Sequence, residues 1–211
     1  MKNVLILGAS GQIASWAIHM LACQTDVKMT LLVRNPSKLN GEEPVNSEIV
    51  IGDASDQAFM DQLMAGKDIV YANLAGEVDE QMKVIISAMK KNNVQRIVSI
   101  NTLGIYNEVP GEFGEWNNQT IGEYFPPYRK CADILECSGL DYTIIRAAWL
   151  TDYDEVDYEV TQKDEPFKGT EVSRKSVATQ VVKIINNPSE MVNKNIGLNK
   201  PDTDGPKPAF M

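Results

Sequence analysis

The sequence predicts an α/β fold, a parallel sheet flanked by helices, and two observations carry that expectation. Short apolar runs recur along the chain and are nearly continuous, as strands covered on both faces must be. Between them lie segments whose apolar residues repeat at helical spacing, so strand and helix alternate as βαβ units do. The first run, Val4 to Leu7, ends at Gly8, after which Ile13, Ala14, Ala17, Ile18 and Leu21 share one helical face. Lys28 to Val33 reads as a second strand, Glu48 to Ile51 as a third and Ile69 to Leu74 as a fourth, with a short helix near Asp56 to Met64. Val78, Met82, Ile85, Ile86 and Met89 form one helix face before a fifth strand over Val94 to Ile100.

From Gly104 to Pro127 the regular period is lost. Pro110, Gly111, Gly114, Gly122, Pro126 and Pro127 interrupt it, which predicts a long loop, and long loops beside sheet ends are frequently functional. Tyr128 to Cys137 predicts a helix terminated by Gly139, followed by a sixth strand over Tyr142 to Arg146. Asp157 to Gln162 reads as a short strand, Arg174 to Ile185 as a helix that buries Val177, Val181, Ile184 and Ile185, and Asn195 to Asn199 as a last extended segment. Pro201 to Met211 reads as a Pro-rich tail with no period that requires packing.

A chain of 211 residues, 43% hydrophobic and 23% charged, supports one substantial core, so a single domain over residues 1–211 is expected. No apolar run approaches the ~20 residues that cross a bilayer, so no membrane partner is expected. With 29 Asp plus Glu against 20 Lys plus Arg, the formal charge of -9 gives the long-range field the wrong sign for direct binding of nucleic acid or anionic membrane. A small-molecule partner in a local anion pocket is compatible with that field, and oligomer formation is left open. Cys23, Cys131 and Cys137 lack metal-site spacing, and the chain begins directly on a strand-like segment, which together predict a reducing, cytoplasmic setting.

The strongest motif is Gly8-Ala9-Ser10-Gly11-Gln12-Ile13-Ala14, placed between the first strand and the first helix. Gly8 permits a tight turn, Gly11 lets backbone approach a pyrophosphate, and Ala14 allows close helix packing. Backbone N–H groups over Ser10, Gly11, Gln12 and Ile13 then meet the negative charge at a helix start. The competing reading is a glycine turn that binds nothing. At the end of the second strand, where many NAD sites carry an acidic residue, stands Arg34, followed by Ser37 and Lys38. A guanidinium there offers donors to a ribose 2'-phosphate, so NADP (as NADPH) is preferred while NAD stays possible; otherwise these are ordinary surface cations. Asp53, beside Ala54, suits either the adenosine portion or the cap of the next helix. Asn73, Leu74 and Ala75 provide small or neutral contacts along the same path, or simply a turn.

With these motifs, and with the Ser138-Gly139-Leu140-Asp141-Tyr142 and Val172-Ser173-Arg174-Lys175-Ser176 segments, residues 2–199 resemble an atypical short-chain dehydrogenase/reductase of the NAD(P)H-binding, NmrA-like or flavin-reductase-like group. The resemblance implies a Rossmann-like parallel sheet, a pyridine nucleotide, and a small C-terminal substrate-covering portion. Residues 147–172 and the 104–127 loop are expected on the substrate side. The family's Tyr-x-x-x-Lys pair would stand near positions 125 and 129, which here hold Phe125 and Arg129. Phe125 has no proton to donate, and Arg129 binds ribose or phosphate without titrating as a catalytic lysine does. The replacement candidates are Thr102, to orient a substrate oxygen, and Tyr106, to donate a proton or stack; loop packing is the alternative for both. Asn101 is a candidate for the nicotinamide amide or for ordering backbone.

Phe113, Trp116, Trp149 and Tyr106 are large enough to build a planar ligand pocket, or to pack a lid. His19 reads as a helix surface residue, and the acidic run from Asp152 to Asp157 as a solvated loop or a cation attractor. The residues therefore predict an NADPH-dependent oxidoreductase acting on a flavin, quinone or other small conjugated acceptor. The alternative is a catalytically weak NADP(H)-binding sensor or regulatory interaction protein.

Overall fold

The structure is a computed structural model that describes residues 1–39 and 44–211. Its strands are β1 (Lys2–Leu7), β2 (Val27–Val33), β3 (Ser47–Ile51), β4 (Ile69–Ala72), β5 (Arg96–Thr102), β6 (Asp141–Ala147), β7 (Trp149–Thr151), β8 (Glu159–Gln162), β9 (Glu171–Ser173) and β10 (Lys194–Asn199). The helices are α1 (Gln12–Ala22), α2 (Gln57–Leu63), α3 (Val78–Lys91), α4 (Gly111–Ile121), α5 (Phe125–Glu136) and α6 (Arg174–Asn186). Eight strands form one sheet in the order β3-β2-β1-β4-β5-β6-β10-β8, and β7 and β9 make a separate parallel pair. Every pairing in the large sheet is parallel except β8 with β10.

The continuity of the apolar runs follows from this burial. Val4 and Ile6 enter the core beneath α1 and α6, whereas Leu5 and Leu7 enter the core beneath α2, α3 and α5. Both faces are dry, so a strand needs apolar residues at successive positions. Ala14 and Ala17 are fully buried on α1, and small side chains there let α1 and α6 lie close together.

Strand order places a crevice. The chain leaves β1 toward β2 and β3, then returns to put β4 on the other side of β1, and ligands of open α/β sheets bind where the order reverses. β4 stops early, its last pairing with β5 being Ala72 to Ser99, while β5 and β6 run on together to the Thr102 to Ala147 pair.

Three expectations are corrected. The 104–127 segment is not one loop, because residues 111–121 form α4. Two of its glycines serve packing: a Cβ on Gly114 would lie 2.1 Å from the Val109 carbonyl oxygen, and one on Gly104 2.6 Å from the Phe125 ring, whereas Gly111 opens the helix in a left-handed conformation with φ of +64°. Likewise Pro126 and Pro127 fall in the first turn of α5, where a missing N–H costs nothing, so the helix begins at Phe125 rather than Tyr128. Finally, the tail is tethered at Thr203 and Ala209, although most of its residues stay exposed. Lys200 N–H donates to the Glu171 carbonyl at 2.7 Å, Thr170 Oγ1 donates to the Thr203 carbonyl at 2.7 Å, and Ala209 N–H reaches the Glu171 carboxylate at 2.8 Å. Hydrogen bonds to an irregular backbone leave no hydrophobic period to read.

Candidate cofactor groove and acceptor side

The turn after β1 is closed by Asn73. Gly8 has φ of +72°, and a Cβ on it would lie 2.1 Å from the Asn73 carbonyl oxygen; one on Gly11 would lie 2.2 Å from Asn73 Nδ2. Both positions therefore require glycine, the first for its left-handed backbone and both for space. Gly11 N-caps α1 without a side-chain acceptor, and no acidic residue occupies the first turn. The opening N–H groups of the helix therefore have neither a capping side chain nor an acidic neighbour in the first turn, which is the condition for an anion site. Gln12 is exposed at the first helical position, whereas the Ile13 side chain is buried in the core, so Ile13 has only backbone to offer a ligand.

A groove of about 380 Å³ runs from this turn across the strand ends. It brings together Gly8, Ser10, Gly11, Arg34, Asp53, Ala54, Asn73, Leu74 and Ala75, and adds Lys38 and Gln81. Arg34 and Lys38 are exposed and have no carboxylate within 4.0 Å among the described residues. Asp53 accepts from Ser55 Oγ at 2.7 Å and Ser55 N–H at 2.9 Å. These bonds, chiefly the hydroxyl one, hold its carboxyl below the usual range, and the Arg34 charge adds to them. Capping of α2 belongs to Asp56, which accepts from Phe59 N–H at 3.0 Å. Ser37 is engaged locally, donating to Asn35 Oδ1 from both its N–H and its hydroxyl.

The acceptor side is arranged differently. Asn101 is buried with both ends of its amide in use, Nδ2 donating to the Tyr128 carbonyl at 3.0 Å and Oδ1 accepting from Thr102 N–H at 2.8 Å. It orders backbone. Thr102 is half-buried at the end of β5, and its hydroxyl makes only a long 3.4 Å contact with the Leu103 carbonyl. Tyr106 lies elsewhere. Its hydroxyl accepts from Asn195 Nδ2 at 2.9 Å and donates to Glu136 at 3.3 Å. Burial, then the Glu136 charge, push its pKa up, which makes it a poor proton donor. Arg129 does not line the groove: it makes two contacts with the Asp133 carboxylate at 2.9 and 3.0 Å and stacks 4.4 Å over the Tyr106 ring. The structure thus separates Tyr106 and Arg129 from the groove residues.

Trp116 and Trp149 pack at 4.8 Å, Phe113 stacks on Trp116 at 6.1 Å, and Trp149 Nε1 donates to Asn117 Oδ1 at 2.9 Å. Asn117 in turn crowds Gly104, whose Cβ would lie 2.7 Å from Asn117 Nδ2 and 2.6 Å from the Phe125 ring. α4 with Trp149 is therefore a roof seated directly on the strand ends. Asp152 and Asp154 are paired with Arg174 at 2.8 Å and Lys175 at 2.5 Å, and Glu155 with Lys200 at 2.8 Å, so three of the four acids in that run are paired within the chain. Among the described residues no group of three or more His, Cys, Asp or Glu is placed to hold a metal ion. His19 is exposed on α1, and burial pushes the Cys131 thiol up to about 12, which makes it unreactive. Sequence reasoning missed Glu108, Arg146 and Asn117; a charged Arg146 at an inward position of a strand was the available signal.

Residues 8–188 match the NAD(P)H-binding family. A Rossmann-fold NAD(P)-binding family protein from Shigella flexneri is 48% identical over 100% of both chains, with a TM-score of 0.87. A wide-type short-chain dehydrogenase/reductase from Veillonella parvula, solved in complex with NADP, is 26% identical over 99% of each chain with a TM-score of 0.88. ChuY from Escherichia coli O157:H7, described as an anaerobillin reductase, shares the fold at 17% identity, 97% of this chain and 100% of its own, with a TM-score of 0.83. With a glycine turn inside the matched span and a groove at the reversal of strand order, the chain belongs to the NAD(P)H-binding family of Rossmann-fold proteins.

Proposed function

We propose that the protein is an NADPH-dependent oxidoreductase acting on a flavin, quinone or other small conjugated acceptor. The observation that carries the cofactor preference is the pair of cations lining the groove, Arg34 and Lys38, which have no carboxylate partner among the described residues. A guanidinium at the end of β2 matches a 2'-phosphate, and an acidic residue there would repel it. NADPH supplies the hydride when bound. The chain's part is to hold and orient: the first-turn N–H groups of α1 take the pyrophosphate, Arg34 and Lys38 the 2'-phosphate, and the ionised Asp53 a hydroxyl or amine. Thr102 orients an acceptor oxygen. A conjugated acceptor takes hydride at one position and a proton from water at another, so neither a tyrosine nor a lysine is required at 125 or 129.

A specific observation also favours a second reading. The Tyr106 hydroxyl and the Arg129 guanidinium are both engaged inside the chain, which fits a weakly catalytic NADP(H)-binding sensor. In either case the net charge of -9 fits a small-molecule ligand and no direct nucleic-acid partner, and the three free cysteines fit a cytoplasmic setting. The test is titration with NADPH and NADH, then absorbance of the reduced nicotinamide with riboflavin, menadione and simple carbonyls. Preferred NADPH binding with menadione- or riboflavin-dependent oxidation is expected. Binding without oxidation by any acceptor moves the sensor ahead, and binding of neither nucleotide overturns both.

A further inference from the structure

Glu108 lies outside the cofactor groove, yet its carboxylate holds three groups around the acceptor side. Oε1 accepts from Gly104 N–H at 3.1 Å, Oε2 accepts from Tyr106 N–H at 2.9 Å, and Oε1 pairs with the Arg146 guanidinium. The pair is removed from water, with side-chain exposures of 0% for Arg146 and 5% for Glu108. Arg146 is fixed in turn by Asn195 Oδ1 at 2.8 Å. Burying two charges is expensive, and an apolar pair of similar volume packs as well, so general stability alone is a weak reason for such a pair. Its contacts point to a local one. Gly104 is two residues beyond Thr102, and α4 begins three residues after Glu108. Gly104 is also the residue on which Asn117 and Phe125 sit, with no room for a Cβ.

Resting on the oxidoreductase reading above, we propose that Glu108, anchored by Arg146, is a positioning residue for the acceptor: it fixes the β5 to α4 connection so that Thr102 and the α4 roof enclose the acceptor at a set height. It acts through Gly104 and α4 and touches neither the phosphate-binding turn nor Arg34. Cofactor binding and acceptor binding therefore separate in its variants.

The experiment uses the full-length protein and two variants, Glu108→Gln and the double variant Glu108→Gln with Arg146→Met. The double variant removes the charge that the single one leaves uncompensated, so it folds if the single variant does not. NADPH dissociation constants and, with NADP+ present, menadione dissociation constants are read from tryptophan fluorescence; turnover supplies KM and kcat. The expected result in the double variant is an NADPH constant within about twofold of the parent, a menadione constant and KM raised about tenfold or more, and kcat within about threefold. A menadione constant within about twofold of the parent overturns the assignment, as does a parallel loss of NADPH and menadione binding, the signature of general destabilisation. If the parent binds menadione but does not oxidise NADPH, the oxidoreductase reading falls while the menadione constants still decide the role of Glu108. A parent that binds neither menadione nor riboflavin overturns both.

Discussion

The two halves of the site handle charge in opposite ways. On the cofactor side, Arg34 and Lys38 line the groove without a described carboxylate partner, and the first turn of α1 carries no acidic residue. On the acceptor side, the cations are spoken for: Arg129 by Asp133, Arg146 by Glu108, Lys163 by Glu136, Arg174 by Asp152 and Lys175 by Asp154. One region leaves its cations without a described carboxylate partner; the other uses charge to hold its own shape. That contrast explains how a chain of net charge -9 accommodates a polyanionic cofactor.

The sharpest way to break the contrast is at the glycine turn. Gly11→Val drives a side chain into Asn73 Nδ2, 2.2 Å from the Cβ position, and should weaken NADPH and NADH alike by about 100-fold or more, measured by fluorescence titration. Smaller and more selective is Arg34→Ala. It should cost NADPH about ten- to fifty-fold and leave NADH within about twofold, so an equal loss for both would remove the 2'-phosphate role. On the other side, Trp149→Phe removes the donor to Asn117 Oδ1 and leaves a buried amide whose Nδ2 is already unpartnered. Thermal unfolding should report about 1–3 kcal/mol of lost stability with NADPH affinity unchanged.

The smallest effect is set by pH. Burial pushes the Glu136 carboxyl up, but hydrogen bonds from Lys163, Asn195 and Tyr106 outweigh it and hold the group below its ordinary value. A depressed folded pKa stabilises fully above the unfolded value of about 4.3 and loses that stabilisation as pH falls through the lower folded value. Hydrogen-exchange protection over 103–110, corrected for the intrinsic pH dependence of amide exchange, should therefore fall below about pH 4, and Lys163→Met, which leaves the Asn195 and Tyr106 bonds, should make that fall smaller. An unchanged pH response in the variant would remove Glu136 from this role.

Legibility follows the same division. The strands β1 to β6 were readable because both faces of the sheet are dry, and Gly8, Gly11 and Arg34 because a short-range sequence pattern builds that site. Strand ends slipped: β5 runs over 96–102 and not 94–100, since hydrogen-bond pairing with β6, invisible in one strand's sequence, extends it. The strands β7 and β9 were missed because each is three residues long. α4 was hidden by its two glycines, of which Gly114 serves close packing and Gly111 the left-handed entry to the helix. Asn101, Tyr106 and Arg129 stand near the expected site in sequence, yet their partners, Tyr128, Asn195 and Asp133, decide what each does. Only Asp133 is near enough in sequence to have been guessed.

The place of β10 between β6 and β8 has a kinetic consequence. β8 leaves synthesis at residue 162 and has no sheet partner until residues 194–199 exist, because its ladder is made entirely with β10. The groove strands β1, β2 and β4 need no such wait. Both strands of that pair lie late in the chain, so during synthesis the far edge of the sheet closes last. A nascent chain would then carry β1, the glycine turn and β4 in place while the edge at β8 is still open.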